Sequence, residues 1–304
     1  MSPEDVMAAV NDPDPGYPEC EVEDLVENSR YYASTVVRLM RAGFIKKSRA
    51  CANKECRRNM FLKYGANGYY WMCQKEGSLC PSVPINADSW FDSTKLSYQT
   101  LLPFLVMYCK NSSNHHMLEH LGVLQKSINE ARLMASRLIT SIASSYEKLT
   151  GTVYIEQLFL LDKDNKEYSV LAVQQHSSTK CFAEMASRET VPDIIRSKTT
   201  DSAKIFHVES SPIDCKNCGL PNDPPMENSA VFKKEEFFDE EKHHEEPRMR
   251  FFTNLRTDSK QHSFANTDAF QKWLHEQVVR RTEGLNMLSR CLEEIKELAN
   301  PCPP

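Results

Sequence analysis

No apolar run in this chain could cross a bilayer: the longest, LLPFLVMYC at 101–109, falls far short of the roughly 20 residues a span needs. No secretory leader is expected either, since the N-terminus carries acids where such a leader has a basic and then an apolar stretch. Both absences lead to the expectation of a soluble intracellular protein with no membrane partner. Residues 1–29 contain no Lys or Arg at all. No internal repeat is visible, which excludes a solenoid or an array. Persistent disulfides are not expected in the cytosol or nucleus, so the eleven cysteines are better read, where they cluster, as metal ligands.

At 304 residues the chain is long enough for two ordinary domains, and its 40% hydrophobic and 26% charged residues are those of a globular protein. The net charge of −5 hides a strong asymmetry: −9 over 1–29, +10 over 30–150 and −6 over 151–304. A basic middle between acidic ends suggests a module for a polyanion, with the ends solvating or masking it. The plainer alternative is an uneven charged surface.

Residues 1–21, rich in Pro, Asp and Glu, read as a disordered acidic lead. A helical period follows over 22–44, carried by Leu25, Tyr32, Val36, Leu39 and Met40 and closed by Gly43. Residues 48–92 are punctuated by cysteine and aromatics, as in FLKYG and YYWMC. Helical patterns resume at Tyr98–Lys110, His115–Leu121 and Ser127–Lys148. After Gly151 the period falls to two. TVYIEQLFLL and YSVLAVQQH read as strands joined by the turn DKDNKE, with a third strand in KCFAEMAS, a short helix in TVPDIIRS and a fourth strand in KIFHVES. Residues 210–247 look like a disordered acidic insertion, and one long helix is expected from about Thr267 to Ala299. The fold class is therefore α+β, with a first domain over 22–150 and a second over 151–300.

Cys51, Cys56, Cys73 and Cys80 are spaced C-x4-C, sixteen residues, C-x6-C. Two pairs on two loop tips can give Zn²⁺ its tetrahedron of thiolates, and the intervening FLKYGANGYYWM is a hairpin that would bring the second pair beneath the first. Four thiolates leave no position for water, so the role of such a zinc would be structural. Four thiols without a metal remain the alternative. A second pair, Cys215 and Cys218, has tighter spacing but no evident partners; His243, His244 and Cys181 are candidates, and a loop pair without metal is the alternative. His115 and His116 open a helix and read as capping or surface residues.

The stretch 115–143 has the layout of a helix-turn-helix. A short helix with Leu118 and Leu121 inward ends at Gly122, and a longer one follows with Ile128, Ala131, Ala135, Leu138 and Ile142 inward. Lys126, Asn129, Arg132 and Arg137 then face outward, where a recognition helix needs groups for phosphates and base edges. A helical hairpin with a solvated basic face would look the same.

In this order the parts resemble the Merlin superfamily of DNA transposases and their insertion-sequence relatives. The likeness runs over about residues 33–160 and includes a motif after the ribbon matched by Ser89, Trp90, Phe91, Ser93, Lys95 and Leu96, with GTVYIEQ opening a strand. It implies an RNase H-like second half, a mixed sheet in which three acids hold two divalent metals. The chain departs from that pattern at each acid. Glu156 stands where the first Asp is expected, with a longer side chain in a site that demands near-octahedral geometry. Glu209 lies out of register for the second acid. Asn266, Thr267 and Trp273 match the motif around the third, but Ala269 and Phe270 occupy the acidic place, with Asp268 beside it.

These readings combine into a transposase-derived nuclear protein, catalytically inactive with Glu156 as a vestige, that binds double-stranded DNA through a zinc ribbon and helix-turn-helix. Its degenerate RNase H-like half would serve as a chromatin or transcription scaffold for protein partners, and a homodimer is open. An active metal-dependent transposase using Glu156, Glu209 and Asp268 is the first alternative. A protein-interaction adaptor without nucleic acid is the second.

Overall fold

The computed structural model describes residues 1–12, 31–53, 55–73, 80–176, 178–187, 189–208, 230–232 and 247–299. The chain is mixed α+β and forms two compact units: Met1–Leu138 together with Leu288–Pro304, and Ile139–Met287.

The first unit opens on a helix, α1 (Pro3–Asn11), where a disordered lead was expected over 1–21. Composition misleads here because local chemistry is decisive. Ser2 and Asp5 form a reciprocal capping box, Pro3 sits in the first turn, and Val6 and Val10, four apart, are both buried. Helix α2 (Tyr32–Arg41) buries Val36, Leu39 and Met40 as its period predicts, and Gly43 at φ +80° turns the chain after it. The part of that expected helix before residue 31 lies outside the described residues.

A three-stranded ribbon follows. Strands β1 (Met60–Gly65) and β2 (Gly68–Cys73) form a hairpin in register Met60↔Cys73 through Gly65↔Gly68, and β3 (Val83–Pro84) pairs with β2. A 3₁₀ turn, Trp90–Ser93, buries its two aromatics against the first unit's core. Three helices come next: α3 (Tyr98–Cys109), α4 (Asn114–Leu121) and α5 (Gln125–Ser145). Met117 is the buried anchor of α4, while Leu118 and Leu121, expected inward, are only half-buried.

In the second unit a mixed five-stranded sheet has the order β6-β5-β4-β7-β8. Here β4 is Thr152–Leu161, β5 Glu167–Gln175, β6 Cys181–Met185, β7 Lys204–Val208 and β8 Ala230–Phe232. The first three are antiparallel, joined between β4 and β5 by the expected turn; β7 and β8 run parallel to β4. β8 lies inside the expected insertion 210–247, so that segment is not wholly without structure; its other residues lie outside the described ones, apart from Pro247. Because strand side chains alternate, the sheet has two apolar faces. Val153, Ile155, Leu171 and Val173 pack with α6 (Val191–Lys198). Tyr154, Leu158, Leu160 and Val170 pack with α7 (Pro247–Ser259) and α8 (Thr267–Glu283).

The single long helix expected from Thr267 to Ala299 is two. Gly284, at φ +55°, ends α8, and α9 (Met287–Ala299) begins three residues later. Almost all of α9 belongs to the first unit, where the Cys291 thiol lies 4.0 Å from that of Cys109 and the Lys296 ammonium sits over the Phe44 ring.

Candidate metal centre and candidate nucleic-acid face

The four cysteines singled out by spacing converge. Cys51 and Cys56 lie on a knuckle in which the Cys51 amide donates to the Arg58 carbonyl and the Cys56 amide to that of Asn53. Ala50 bridges Asn59, so the knuckle is a continuation of the ribbon. Arg57 takes a left-handed φ of +44° to complete the turn. Cys73 ends β2 opposite Met60, which delivers it beneath the knuckle. All four Sγ atoms lie within 4.8 Å of one another, with Cys56 and Cys73 at 3.3 Å. A tetrahedron of Zn–S bonds about 2.3 Å long has S–S edges of about 3.8 Å, so the cluster needs little adjustment to hold a metal ion such as zinc. Cys51 and Cys73 are buried, and the Asn53 side chain reaches the Cys80 sulfur at 3.8 Å.

The electrostatics also suit a cation. The backbone at Asn53 favours the Cys51 thiolate, but burial and the three crowding thiols push that thiol up to about 11. Four crowded sulfurs resist ionising together; a divalent cation reverses this, because its charge favours every thiolate at once.

The other proposed ligand pair, Cys215 and Cys218, lies outside the described residues, as do His243 and His244. Cys181, a candidate partner, is a core residue: it packs on α8, and burial pushes its thiol up to about 12. His115 and His116 are at the surface, the first paired with Glu119 at 3.2 Å and the second beside the His120 ring at 5.8 Å, tilted to it.

The two helices expected to form a helix-turn-helix are joined by Gly122, Val123 and Leu124. Ser113 caps α4 by accepting from the His116 amide, and Gly122 takes the left-handed conformation at its end. On α5 the inward stripe Ile128, Ala131, Ala135, Leu138 and Ile142 is buried throughout. Lys126, Asn129 and Arg137 are exposed, and helical geometry puts positions three and eleven residues apart on one face. Arg132 differs from them. It is half-buried, donates to Asn114 Oδ1 at 2.6 Å and lies over the Tyr108 ring, so it ties α5 to α3 and α4.

Glu156 lies on β4, on the face that packs against α7, and is 2% exposed. Its Oε1 accepts from the Arg256 guanidinium on α7, while Oε2 is buried with no hydrogen-bond partner among the described residues. Sequence reasoning missed Arg256 because helix α7 was not recognised after the acidic run. The spacing of Phe251, Phe252, Leu255 and Ser259, all buried, is the signal that would have revealed it. Of the acids named with Glu156, Glu209 lies outside the described residues. Asp268 is exposed and pairs with Lys272 at 2.6 Å. Asn266 caps α8 through the Ala269 amide, and Phe270 is fully buried, stacked on Tyr168 at 3.9 Å.

No helix among the described residues is long and apolar enough to cross a membrane. No family model, curated protein or solved structure matches the chain.

Proposed function

We propose that this is a catalytically inactive, transposase-derived nuclear protein that binds duplex DNA through a zinc-stabilised ribbon and the helix pair α4–α5. One observation carries the DNA reading: Lys126, Asn129 and Arg137 share an exposed face on the second helix of a pair joined by a three-residue turn. A recognition helix in the major groove requires that arrangement. The +10 charge of residues 30–150 supports it, as does the four-cysteine cluster, which would anchor the ribbon as a structural zinc site.

The second unit supports an RNase H-like ancestry through its mixed sheet, with Glu156 on the first strand and the fourth strand beside it. The absence of catalysis rests on Arg256. A guanidinium bound to the one retained acid supplies the positive charge that divalent ions would otherwise bring, and two such ions about 4 Å apart need several converging carboxylates. Asp268 faces solvent and a Phe fills the core beside it, so the altered-triad alternative has no support among the described residues.

An electrophoretic-shift titration with zinc-loaded and zinc-stripped protein tests the reading. Binding is expected to require zinc and to weaken by about three orders of magnitude between 50 and 200 mM salt if about six phosphates are neutralised. Salt-independent binding, or no shift at any protein concentration used, overturns it.

A further inference from the structure

A cavity of about 480 Å³ opens in the first unit between the hairpin tip, Gly65–Gly68, and the segment Thr94–Tyr98. Its inner wall is a column of rings. Tyr32 stacks on Tyr69 at 5.6 Å and on Tyr98 at 6.0 Å, both nearly parallel. The tip can approach this column because residue 68 is glycine; at φ +97° a Cβ there would collide with the Tyr32 hydroxyl. Tyr64 stands edge-on to Tyr69 at the mouth and is 61% exposed, so its ring is available to stack. Polar groups also line the cavity. Asn86 is fixed by donating from Nδ2 to the Phe91 carbonyl at 3.0 Å, and Asn67 sits at the hairpin tip. Lys95 is exposed at the opposite lip and has no ion pair among the described residues.

Among the described residues no Asp or Glu lines the cavity. An aromatic site without a carboxylate and with a free ammonium at its lip does not suit a cationic ligand. It suits a planar ring joined to an anion. Amides supply both donors and acceptors for the ring's edge, and the volume lies within the range of small-molecule sites.

We propose that this cavity takes an unpaired nucleotide of a nucleic-acid strand, its base stacked on Tyr64 and its phosphate on Lys95. The inference rests on the DNA-binding reading and extends it from paired to unpaired bases. The fold also links the two surfaces. Glu130 of α5 accepts from the Thr94 hydroxyl and, at 3.4 Å, from the Lys95 amide. The lip of the cavity is thereby pinned to the helix that presents Lys126 and Asn129. A strand lying along α5 could then place one extruded base in the cavity, where stacking on an aromatic ring is tolerant of sequence.

The test uses the full zinc-loaded chain and four probes: a paired duplex, the same duplex carrying one bulged 2-aminopurine, free 2-aminopurine nucleoside monophosphate, and a trimethyl-lysine peptide. The bulged duplex is expected to bind about tenfold more tightly than the paired one, with quenching of the 2-aminopurine emission. Tyr64→Ala should abolish both the preference and the quenching while leaving paired-duplex affinity unchanged; Tyr64→Phe should retain them, and Lys95→Ala should weaken the preference about threefold. Paired duplex bound without any Tyr64-dependent quenching overturns the cavity and leaves the helix face standing. Tyr64-dependent quenching without paired-duplex binding does the reverse. Equal affinity for the free monophosphate overturns the strand as the source of the nucleotide, and Tyr64-dependent binding of a trimethyl-lysine peptide overturns the nucleotide altogether.

Discussion

The four-cysteine cluster and the buried acid on β4 both place groups suited to a cation inside the protein, and they differ in how those groups are answered. At the cysteines the donors converge: four sulfurs within 4.8 Å, two of them buried, brought together by a hydrogen-bonded knuckle and the end of β2. At Glu156 one buried carboxylate is answered by the Arg256 side chain, with its second oxygen unpartnered among the described residues. Crowded thiols gain most from an added cation, whereas the Glu156 carboxylate already has its counter-charge in Arg256.

The largest effect expected is at the cysteines. Cys73→Ser, or chelation of bound metal, should unfold the ribbon, because binding energies of about 10 kcal/mol or more for a structural zinc amount to folding energy in so small an element. Metal analysis should find about one zinc per chain, and hydrogen exchange should lose protection across 60–73. Full thermal stability in the presence of chelator would erase the contrast between the two sites.

Arg256→Ala comes next. It leaves a buried carboxylate without its partner, and since the arginine is itself 43% exposed the cost should be about 2 kcal/mol, read by urea unfolding. Neither the parent chain nor this variant should nick duplex DNA with Mg²⁺ or Mn²⁺, and Glu156→Ala should leave DNA binding intact. Metal-dependent nicking that Glu156→Ala abolishes would mean the second site is still in use.

Two arginines on α5 separate binding from architecture. Arg137→Ala should weaken duplex binding several-fold while changing stability by no more than about 0.5 kcal/mol. Arg132→Ala should instead cost about 1 kcal/mol of stability, since it loses the bond to Asn114 and the contact with Tyr108. Matching effects from the two would place them in the same role.

The smallest effect sharpens the comparison within the second unit itself. Asp162 follows Glu156 along the same stretch of chain and is also buried, but backbone N–H groups satisfy it. Burial would raise its carboxyl, yet the amides of Lys166 and Asp164, each at 2.9 Å, and the Tyr168 hydroxyl hold it below the usual range. A lowered pKa contributes stability above the unfolded value of about 3.9, and that contribution is lost as pH falls through the folded value. Asp162→Asn should therefore be less stable than the parent at pH 7, with the gap closing in acid. A gap that persists unchanged at low pH would mean the charge is not what matters there.

Much of this was legible in the residues. The cysteine spacing identified the cluster because a hairpin of alternating aromatics has one way to bring its ends together, and the strands after Gly151 announced themselves by period two. What stayed hidden depended on contacts between distant residues or on local chemistry outweighing composition. Nothing in PEDVMAAVN outweighs its acids until the Ser2–Asp5 cap is recognised. Arg132 follows the same surface logic as Arg137 until Asn114 and Tyr108 are in place around it. The pairing of Arg256 with Glu156 spans a hundred residues, and no periodicity encodes that.

The break at Gly284 sets the order in which the protein can be made. Because α9 belongs with Met1–Leu138, the first unit must wait through the synthesis of all of Ile139–Met287 before its last helix exists. The second unit, by contrast, is continuous in the chain and can mature as it is synthesised. On the ribosome the four-cysteine cluster therefore belongs to an unfinished body, with Phe44 and Cys109 still uncovered. A zinc ion captured early would hold the ribbon in shape through that interval, making the metal a placeholder for a helix that arrives late.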